Sequence, residues 1–170
     1  DDRRFALAAA GRLLAGLGGM ATPFFILYGT EELALGSGLV GLSVTAQVLG
    51  RVGGGLLLGF AVERLGNRFA ILSSISVTSS MPLLALILGL LAAAQILPTS
   101  ALFYLYPLVF FLNGVSMNML GWSFTNYILD IAPAAERTTY VGLTNTIGGL
   151  LIVAPVIGGA LLEATSYRWL

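Results

Sequence analysis

Between residues 69 and 129 the sequence has no charged side chain. Further charge-free runs cover residues 13–30, 33–50 and 138–162. A helix needs about 20 mostly apolar residues to cross the hydrocarbon core of a bilayer. These runs constrain the fold more than any other feature of the chain, because they predict helices that span a membrane.

The composition supports a membrane protein and argues against a soluble one. Hydrophobic residues make up 57% of the chain, charged residues only 9%, and the mean hydropathy is +0.93. A soluble domain carries about 25% charged residues to cover its surface. A membrane β-barrel would need short segments in which apolar and polar residues alternate, and "LLALILGLLAAA" shows no alternation. We therefore predict an all-α, polytopic bundle of membrane helices.

The charge-free runs divide into five spans within a single membrane domain, residues 1–170. The longest run is punctuated near Pro98 by "AAAQILPTSALF", which separates two spans. We expect the closing "SYRWL" to lead into a sixth helix and the chain to be a piece of a longer polypeptide. Spans one to five are predicted at about 5–30, 37–62, 69–95, 101–130 and 138–163.

The basic residues are concentrated at one end of the spans. Basic residues precede span one and occupy the two–three and four–five loops, whereas the one–two loop is acidic and Arg168 is the exception. Basic residues near span ends mark the cytoplasmic side. We therefore expect a multi-pass protein of the cytoplasmic (inner) membrane with its amino terminus in the cytoplasm. The basic residues concerned are Arg3, Arg4, Arg64, Arg68 and Arg137; the acidic ones are Glu31 and Glu32.

Several kinds of chemistry are unexpected for this composition. The chain has neither cysteine nor histidine, so we expect no disulfide, no metal site and no cofactor. A serine without a visible base does not make a nucleophile, and no pair of carboxylates lies within a span, so we expect no enzyme. The net charge is zero, which implies no nucleic acid partner. The expected partners are the lipid bilayer and a small-molecule substrate.

The stretch "GFAVERLGNR", residues 59–68, contains three of the few charged residues together with two glycines. Gly66 is placed for a tight turn between spans two and three, where glycine supplies a positive φ. Arg64 and Arg68 would hold this loop on the cytoplasmic side. A plain hairpin turn accounts for that much, but not for Glu63 beside Arg64 or for Gly59 one turn earlier.

This stretch resembles the cytoplasmic-loop signature of the major facilitator superfamily, Gly-x-x-x-Asp/Glu-Arg-x-Gly-Arg/Lys-Arg/Lys, from which only Asn67 departs. A second stretch, "NYILDIAPAAERTTYVGLTNT", resembles the four–five loop of a half in that family. The two signatures stand two spans apart, as the family requires. The matching residues are Gly59, Glu63, Arg64, Gly66 and Arg68 in the first, and Asp130, Pro133 and Arg137 in the second.

The resemblance implies half of a transporter built from two six-helix halves. The sequence looks more like the second half of bacterial members, which would make the five spans helices seven to eleven. The other six-helix half of the same polypeptide would then be a partner. In the family the loop signature acts as a cytoplasmic gate, in which Glu63 would pair with Arg64 or Arg137, or face a helix amino terminus.

Arg51 is the charged residue that we expect deepest in the membrane. It lies about 18 Å before Glu63 at 1.5 Å per helical residue, which places it near mid-membrane. Charges there face a cavity or a partner and mark functional sites. We find no acid of this chain at that depth, so the expected partners are an acid from another half, backbone carbonyls, cavity water or an anionic substrate. Pairing with the other half is the structural alternative.

Other polar positions accompany Arg51 at helical spacing. Ser43, Gln47 and Arg51 share a face of span two, and Asn118, Trp122 and Asn126 share a face of span four. We expect them to line a substrate path or a coupling site; hydrogen bonding between helices explains the asparagines equally well. Arg12 lies closer to the cytoplasmic end of its span than Arg51 does. We expect its side chain to snorkel to that end or to pair with Asp130 or Glu136.

Glycines and prolines predict how the spans pack and bend. Gly50-x-x-x-Gly54 and Gly55-x-x-x-Gly59 should let span two approach its neighbours closely. Prolines within three of the spans should kink them; these are Pro23, Pro107 and Pro155.

The function that these features favour is secondary active transport. Such a permease moves a small solute by alternating access, with the substrate site near the midplane between its halves. The alternative is a non-transporting membrane sensor or assembly protein built on a transporter-like half. A homodimeric carrier is a third reading, against which the expected missing sixth span argues.

Overall fold

The computed structural model describes residues 2–164, without side-chain detail at positions 2, 18, 58, 61, 62, 67 and 118–122. The "SYRWL" stretch with Arg168 lies outside the described residues. Every regular element in the described range is helical. The elements are α1 (Asp2–Leu17), a 3-10 helix (Gly18–Ala21), α2 (Phe24–Leu27), a π-helix (Tyr28–Glu32), α3 (Gly38–Ala93), α4 (Thr99–Leu105), α5 (Pro107–Ile131), α6 (Arg137–Gly149), a second 3-10 helix (Leu150–Val153) and α7 (Ala154–Ala164).

Within residues 2–164, five helical stretches are long and apolar enough to cross a membrane. The predicted all-α membrane architecture is confirmed at this level. Each stretch overlaps one of the predicted spans; the stretch in span four ends at Met117, although α5 itself continues to Ile131. The five stretches are Arg3–Glu32, Gly38–Leu57, Arg68–Ala93, Thr99–Met117 and Arg137–Ala164.

Spans two and three belong to one long helical element, α3, that is broken at a single glycine. Gly66 has φ 78° and ψ 172°, whereas the residues around it are helical. That combination of angles is essentially restricted to glycine, because a Cβ would collide with the backbone. The prediction that Gly66 supplies a positive φ between the two spans is therefore confirmed.

The three prolines expected to kink their spans lie at interruptions of regular α-helix. Pro23 stands between the first 3-10 helix and α2, Pro107 is the first residue of α5, and Pro155 is the second residue of α7. Proline has no N–H to donate, so a helix loses least where its ring falls in a first turn. Pro82, in contrast, lies within α3 with no break assigned there.

The main hydrophobic core lies between spans one to four, near the acidic one–two loop. It includes Phe25, Leu39, Met81, Tyr106 and Val109, of which all but Phe25 are almost fully buried. The Tyr106 hydroxyl donates a hydrogen bond of 2.5 Å to the carbonyl oxygen of Phe25. Irregular backbone at membrane depth needs such partners, since hydrocarbon offers none. This bond ties span four to the interrupted part of span one.

The basic residues of successive loops lie at one end of the bundle. The Phe5 and Tyr140 rings meet edge to face with centroids 4.9 Å apart, which brings the starts of spans one and five together. Arg4, Arg68 and Tyr127 line one groove, which adds the start of span three and the end of span four. We call this the basic end and the opposite one, with Glu31 and Glu32, the acidic end.

Candidate functional site

Spans two and four cross with their backbones in direct contact. A Cβ added at Gly50 would overlap the carbonyl oxygen of Phe111, and one added at Gly114 would overlap the carbonyl oxygen of Gln47. The same hypothetical atom at Gly114 would lie 2.8 Å from the backbone nitrogen of Arg51. The absence of side chains at these two glycines therefore allows the helices to approach closely, right beside Arg51.

The packing predicted for the first glycine pair is confirmed, and the packing predicted for Gly59 is wrong. A Cβ at Gly54 would lie 2.8 Å from the Cα of Val115, so Gly54 extends the crossing by one turn. At Gly59 such an atom would meet nothing within 4 Å. Leu56 and Leu57, just before Gly59, are also largely exposed.

Arg51 lies near the middle of span two. At 1.5 Å per residue it is about 20 Å from Gly38 and about 22 Å from Gly66, the two ends of this helical stretch. Its side chain is exposed and makes an interaction within the described chain. At least one of its partners is therefore supplied by the chain itself, in addition to the outside partners expected from the sequence.

Ser43, Gln47 and Arg51 form a polar stripe on span two that faces span four. Their side chains become more exposed in that order. Ser43 is 1% exposed, and its Oγ has no hydrogen-bond partner among the described atoms. Gln47 is half-buried, and its Nε2 donates to the Sδ of Met117 at 3.6 Å. Arg51, one turn further, is exposed. The stripe thus leads from the interior of the helix pair to its surface.

The predicted polar face of span four is described only in part. The side chains of Asn118 and Trp122 lie outside the described ones, whereas Asn126 is half-buried in α5. Two buried polar residues nearer the crossing were not among the predicted site residues. Asn113 and Ser116 are each 5% exposed, and the Ser116 Oγ donates to the carbonyl oxygen of Asn113 at 2.9 Å. The sequence signal was an asparagine next to a glycine, Asn113–Gly114, in an apolar run.

The first loop signature lies at the basic end, largely exposed. The guanidinium carbon of Arg64 is 4.2 Å from the centroid of the Phe60 ring, a cation–π contact. Arg64 therefore has an aromatic neighbour that the sequence reading had not assigned to it. Glu63, Gly66 and Arg68 are exposed as well.

The second signature forms the connection between α5 and α6. Asp130, near the end of α5, is exposed and makes an interaction within the chain. The backbone N–H of Glu136 donates to the carbonyl oxygen of Pro133 at 2.9 Å, which closes a turn. Arg137 is the first residue of α6 and is exposed. Both signatures therefore lie at the basic end of the bundle.

Arg12 occupies a different place from the one expected. A Cβ added at Gly148 of span five would lie 3.0 Å from its Nη2 and 3.3 Å from its Cζ. Its Nη1 is buried and has no hydrogen-bond partner among the described atoms. The guanidinium thus packs into the space left by Gly148, between spans one and five, instead of reaching Asp130 or Glu136.

The site combines a permanent cation and an amide at mid-span with a loop of charged residues at one end. An arginine binds carboxylates and phosphates through charge-assisted hydrogen bonds and stays charged at any physiological pH. Among residues 2–164, no three His, Cys, Asp or Glu residues gather as metal ligands would. No protein-family model, no curated protein and no solved structure matches the chain.

Proposed function

We propose that the chain is half of a secondary active transporter of the major facilitator type, corresponding to its second six-helix half. Such a permease moves a small solute across the cytoplasmic membrane by alternating access. The proposal rests on the residues quoted for the two loop signatures and on the placement of Arg51.

The feature that carries the proposal is the charge of Arg51 near the middle of the helical stretch between Gly38 and Gly66. An arginine at the centre of a spanning helix costs about 2.5–3.5 kcal/mol on insertion scales. A helix that only had to anchor the protein would gain nothing from that cost. Residues of this kind commonly lie on substrate or ion pathways, and Gln47 extends the polar surface by one turn.

The close crossing of spans two and four at Gly50 and Gly114 fixes the backbone beside Arg51. Because Gly50 and Gly114 bring two backbones into contact, spans two and four are suited to move as one rigid unit. Transport by alternating access requires such units to rock around a site near the midplane. In this proposal Arg51 binds the anionic or polar part of the solute, and Gln47 and Asn126 are further candidate contacts on the two spans.

The two loop signatures supply the proposed cytoplasmic gate. A single ion pair near water is worth only about 0–1 kcal/mol. Several contacts that form together at the basic end would bias a two-state equilibrium by a few kcal/mol, which changes the dominant state. The proposed gate residues are Gly59, Glu63, Arg64, Gly66, Arg68, Asp130, Pro133 and Arg137.

The proposal is tested by uptake with an unbiased mixture of solutes. Membrane vesicles containing the native polypeptide are given a uniformly ¹³C-labelled cell extract and a proton or sodium gradient, and the accumulated solutes are measured by mass spectrometry. We expect at least one anionic or polar solute to exceed its level in empty vesicles. Arg51→Ala should abolish this excess, whereas Arg51→Lys should retain part of it because the charge is kept.

Arg3→Ala is the matched control, since it removes the same charge at the exposed start of α1. It should leave accumulation close to that of the unchanged protein. Full accumulation with Arg51→Ala, or no accumulated solute under either gradient with folded protein in the vesicles, would contradict the proposal. The second result would favour a sensor or an assembly protein.

A further inference from the structure

A groove of about 590 Å³ opens between spans one, three and four at the basic end. Its rim carries two arginines from different spans, Arg4 and Arg68, together with Tyr127 of span four. The other lining residues, which form its floor, are apolar, and all but Ile131, which lies beyond Tyr127 at the end of α5, are one to two turns deeper. The floor residues are Leu7, Ala8, Gly11, Ile71, Ile75, Phe124 and Ile131.

The groove continues towards the middle of the bundle. A second cavity of about 620 Å³ shares Gly11 and Ile75 with the first and is lined only by spans one and three. It reaches Ala15 on one side and Leu83 on the other. The lining residues recur every three or four positions on both helices, so each helix presents one continuous face.

The length of the groove along α1 matches one leaflet of a bilayer. Arg4 and Ala15 are about 16 Å apart along α1 at 1.5 Å per residue. The hydrocarbon core of a bilayer is about 30 Å thick, so a single leaflet contributes about 15 Å. Arg4 therefore lies about one leaflet from the deep end of the groove along α1, at headgroup level, whereas on span three the groove runs about 22 Å from Arg68 to Leu83.

We propose that this groove binds an anionic phospholipid, with its phosphate between Arg4 and Arg68 and an acyl chain along spans one and three. Two cations from separate spans converge on one rim, and this suits a single negatively charged group. The apolar floor suits a hydrocarbon chain and gives nothing to a free phosphate ion. Tyr127 adds the amphipathic ring that is common at membrane interfaces.

The proposal does not require transport, because it concerns the surface between spans one and three and not the Arg51 face; Arg68 is shared with the proposed gate. An anionic lipid carries its negative charge at the height of the two arginines and its hydrocarbon chain at the height of the apolar floor.

The direct test compares two double variants with equal loss of charge. Arg4→Gln/Arg68→Gln removes the two rim arginines, and Arg3→Gln/Arg64→Gln removes two neighbours that do not line the groove. Binding of phosphatidylglycerol is measured by native mass spectrometry of the purified full polypeptide, with phosphatidylcholine as the neutral reference. Because each rim arginine would donate charge-assisted hydrogen bonds to the phosphate, the rim variant should lose about tenfold or more in affinity, whereas the control pair should lose clearly less.

A second variant tests the apolar part without changing any charge. Gly11→Leu places an isobutyl group in the groove, where the first added carbon would make only an ordinary 3.9 Å contact with Phe124. We expect it to weaken binding of phosphatidylglycerol while glycerol 3-phosphate shows no measurable binding to any form. A diazirine-bearing phosphatidylglycerol should label peptides within residues 7–15 and 71–83.

Three outcomes would overturn the lipid assignment. Equal losses in the two double variants would show diffuse attraction of anionic lipid without a site. Saturable binding of glycerol 3-phosphate would identify a soluble anion as the ligand. Cross-linking of the groove peptides to protein, with no lipid adduct, would identify a polypeptide as the occupant.

Discussion

The two arginines within the spans have different surroundings, and this separates their roles. Arg12 is held against Gly148, with Nη1 buried and without a hydrogen-bond partner among the described atoms. Arg51 is exposed on a polar stripe that begins at the buried Ser43. A guanidinium packed between two spans mainly stabilises the contact between them. An exposed guanidinium at mid-span is accessible to a ligand. Arg51 is therefore the better candidate for the substrate path.

The hydroxyl of Tyr106 should stabilise the fold measurably. Tyr106→Phe would remove this hydrogen bond while the Phe25 carbonyl oxygen keeps the backbone N–H of Tyr28 as a donor, and one such bond contributes about 0.5–1.5 kcal/mol. We expect a lower midpoint of thermal unfolding in detergent or nanodiscs. Tyr104→Phe is the matched control, because the Tyr104 side chain is 74% exposed and should shift the midpoint little. Equal midpoints for both variants would show that the Tyr106 bond does not contribute.

At the residue scale the sequence predicts the polar residues better than their contacts. Arg51 is identifiable as a charge in the middle of an apolar run, because its depth follows from counting along a helix. The placement of Arg12 on Gly148 and the Tyr106–Phe25 bond are not identifiable in that way. Both depend on which spans are neighbours and how they are rotated, and neither follows from the spacing of residues along one helix.

The break in α3 depends on one glycine, and its replacement should be costly. Gly66→Ala would place a Cβ at φ 78° and ψ 172°, a region that costs about 1–3 kcal/mol for other residues. We expect a lower unfolding midpoint and reduced amounts of folded protein in the membrane. The measurement is thermal unfolding together with the monodisperse yield after extraction.

Gly59→Ala is the control for that substitution. Gly59 is helical and a Cβ there would meet nothing within 4 Å, so alanine should be neutral or stabilising by about 0.5–1 kcal/mol. If Gly66→Ala unfolded at the same temperature as Gly59→Ala, the backbone at Gly66 would not require glycine.

At the element scale, hydropathy and glycine placement predict the architecture, and the interruptions are harder to foresee. The five spans follow from apolar runs long enough to cross a bilayer, and the turn at Gly66 follows from its position between two of them. Prolines mark where three spans are interrupted. The π-helix at Tyr28–Glu32 has no such marker, because the backbone there is shaped by packing around Tyr106, Leu39 and Gly89.

The bundle is packed unevenly along its length. The main core fills the half near the acidic end, where Tyr106 and its neighbours are buried. Towards the basic end, spans one and three diverge enough to leave the long groove, and the residues of the loop signatures are exposed. Gate contacts have to form and break during transport, and exposed side chains rearrange more readily than side chains packed in a core. This uneven packing agrees with the proposed gate at the basic end.

The most direct measurement is side-specific labelling of a cysteine beside Arg51. The sequence has no cysteine, and Val48 is 54% exposed at one turn from Arg51 on the same face. Val48→Cys in the native polypeptide is treated with a membrane-impermeant maleimide in right-side-out and in inside-out vesicles. Leu83→Cys, in the apolar groove between spans one and three, is the control and should not react from either side.

Alternating access predicts that Val48→Cys reacts from both sides, in separate fractions of the protein. Adding Glu63→Gln, which weakens the proposed gate, should increase labelling from the cytoplasmic side at the expense of the other. An unreactive Val48→Cys in both kinds of vesicle would show that the Arg51 face is not reached by water. That result, or labelling from one side that Glu63→Gln leaves unchanged, would contradict the transporter account.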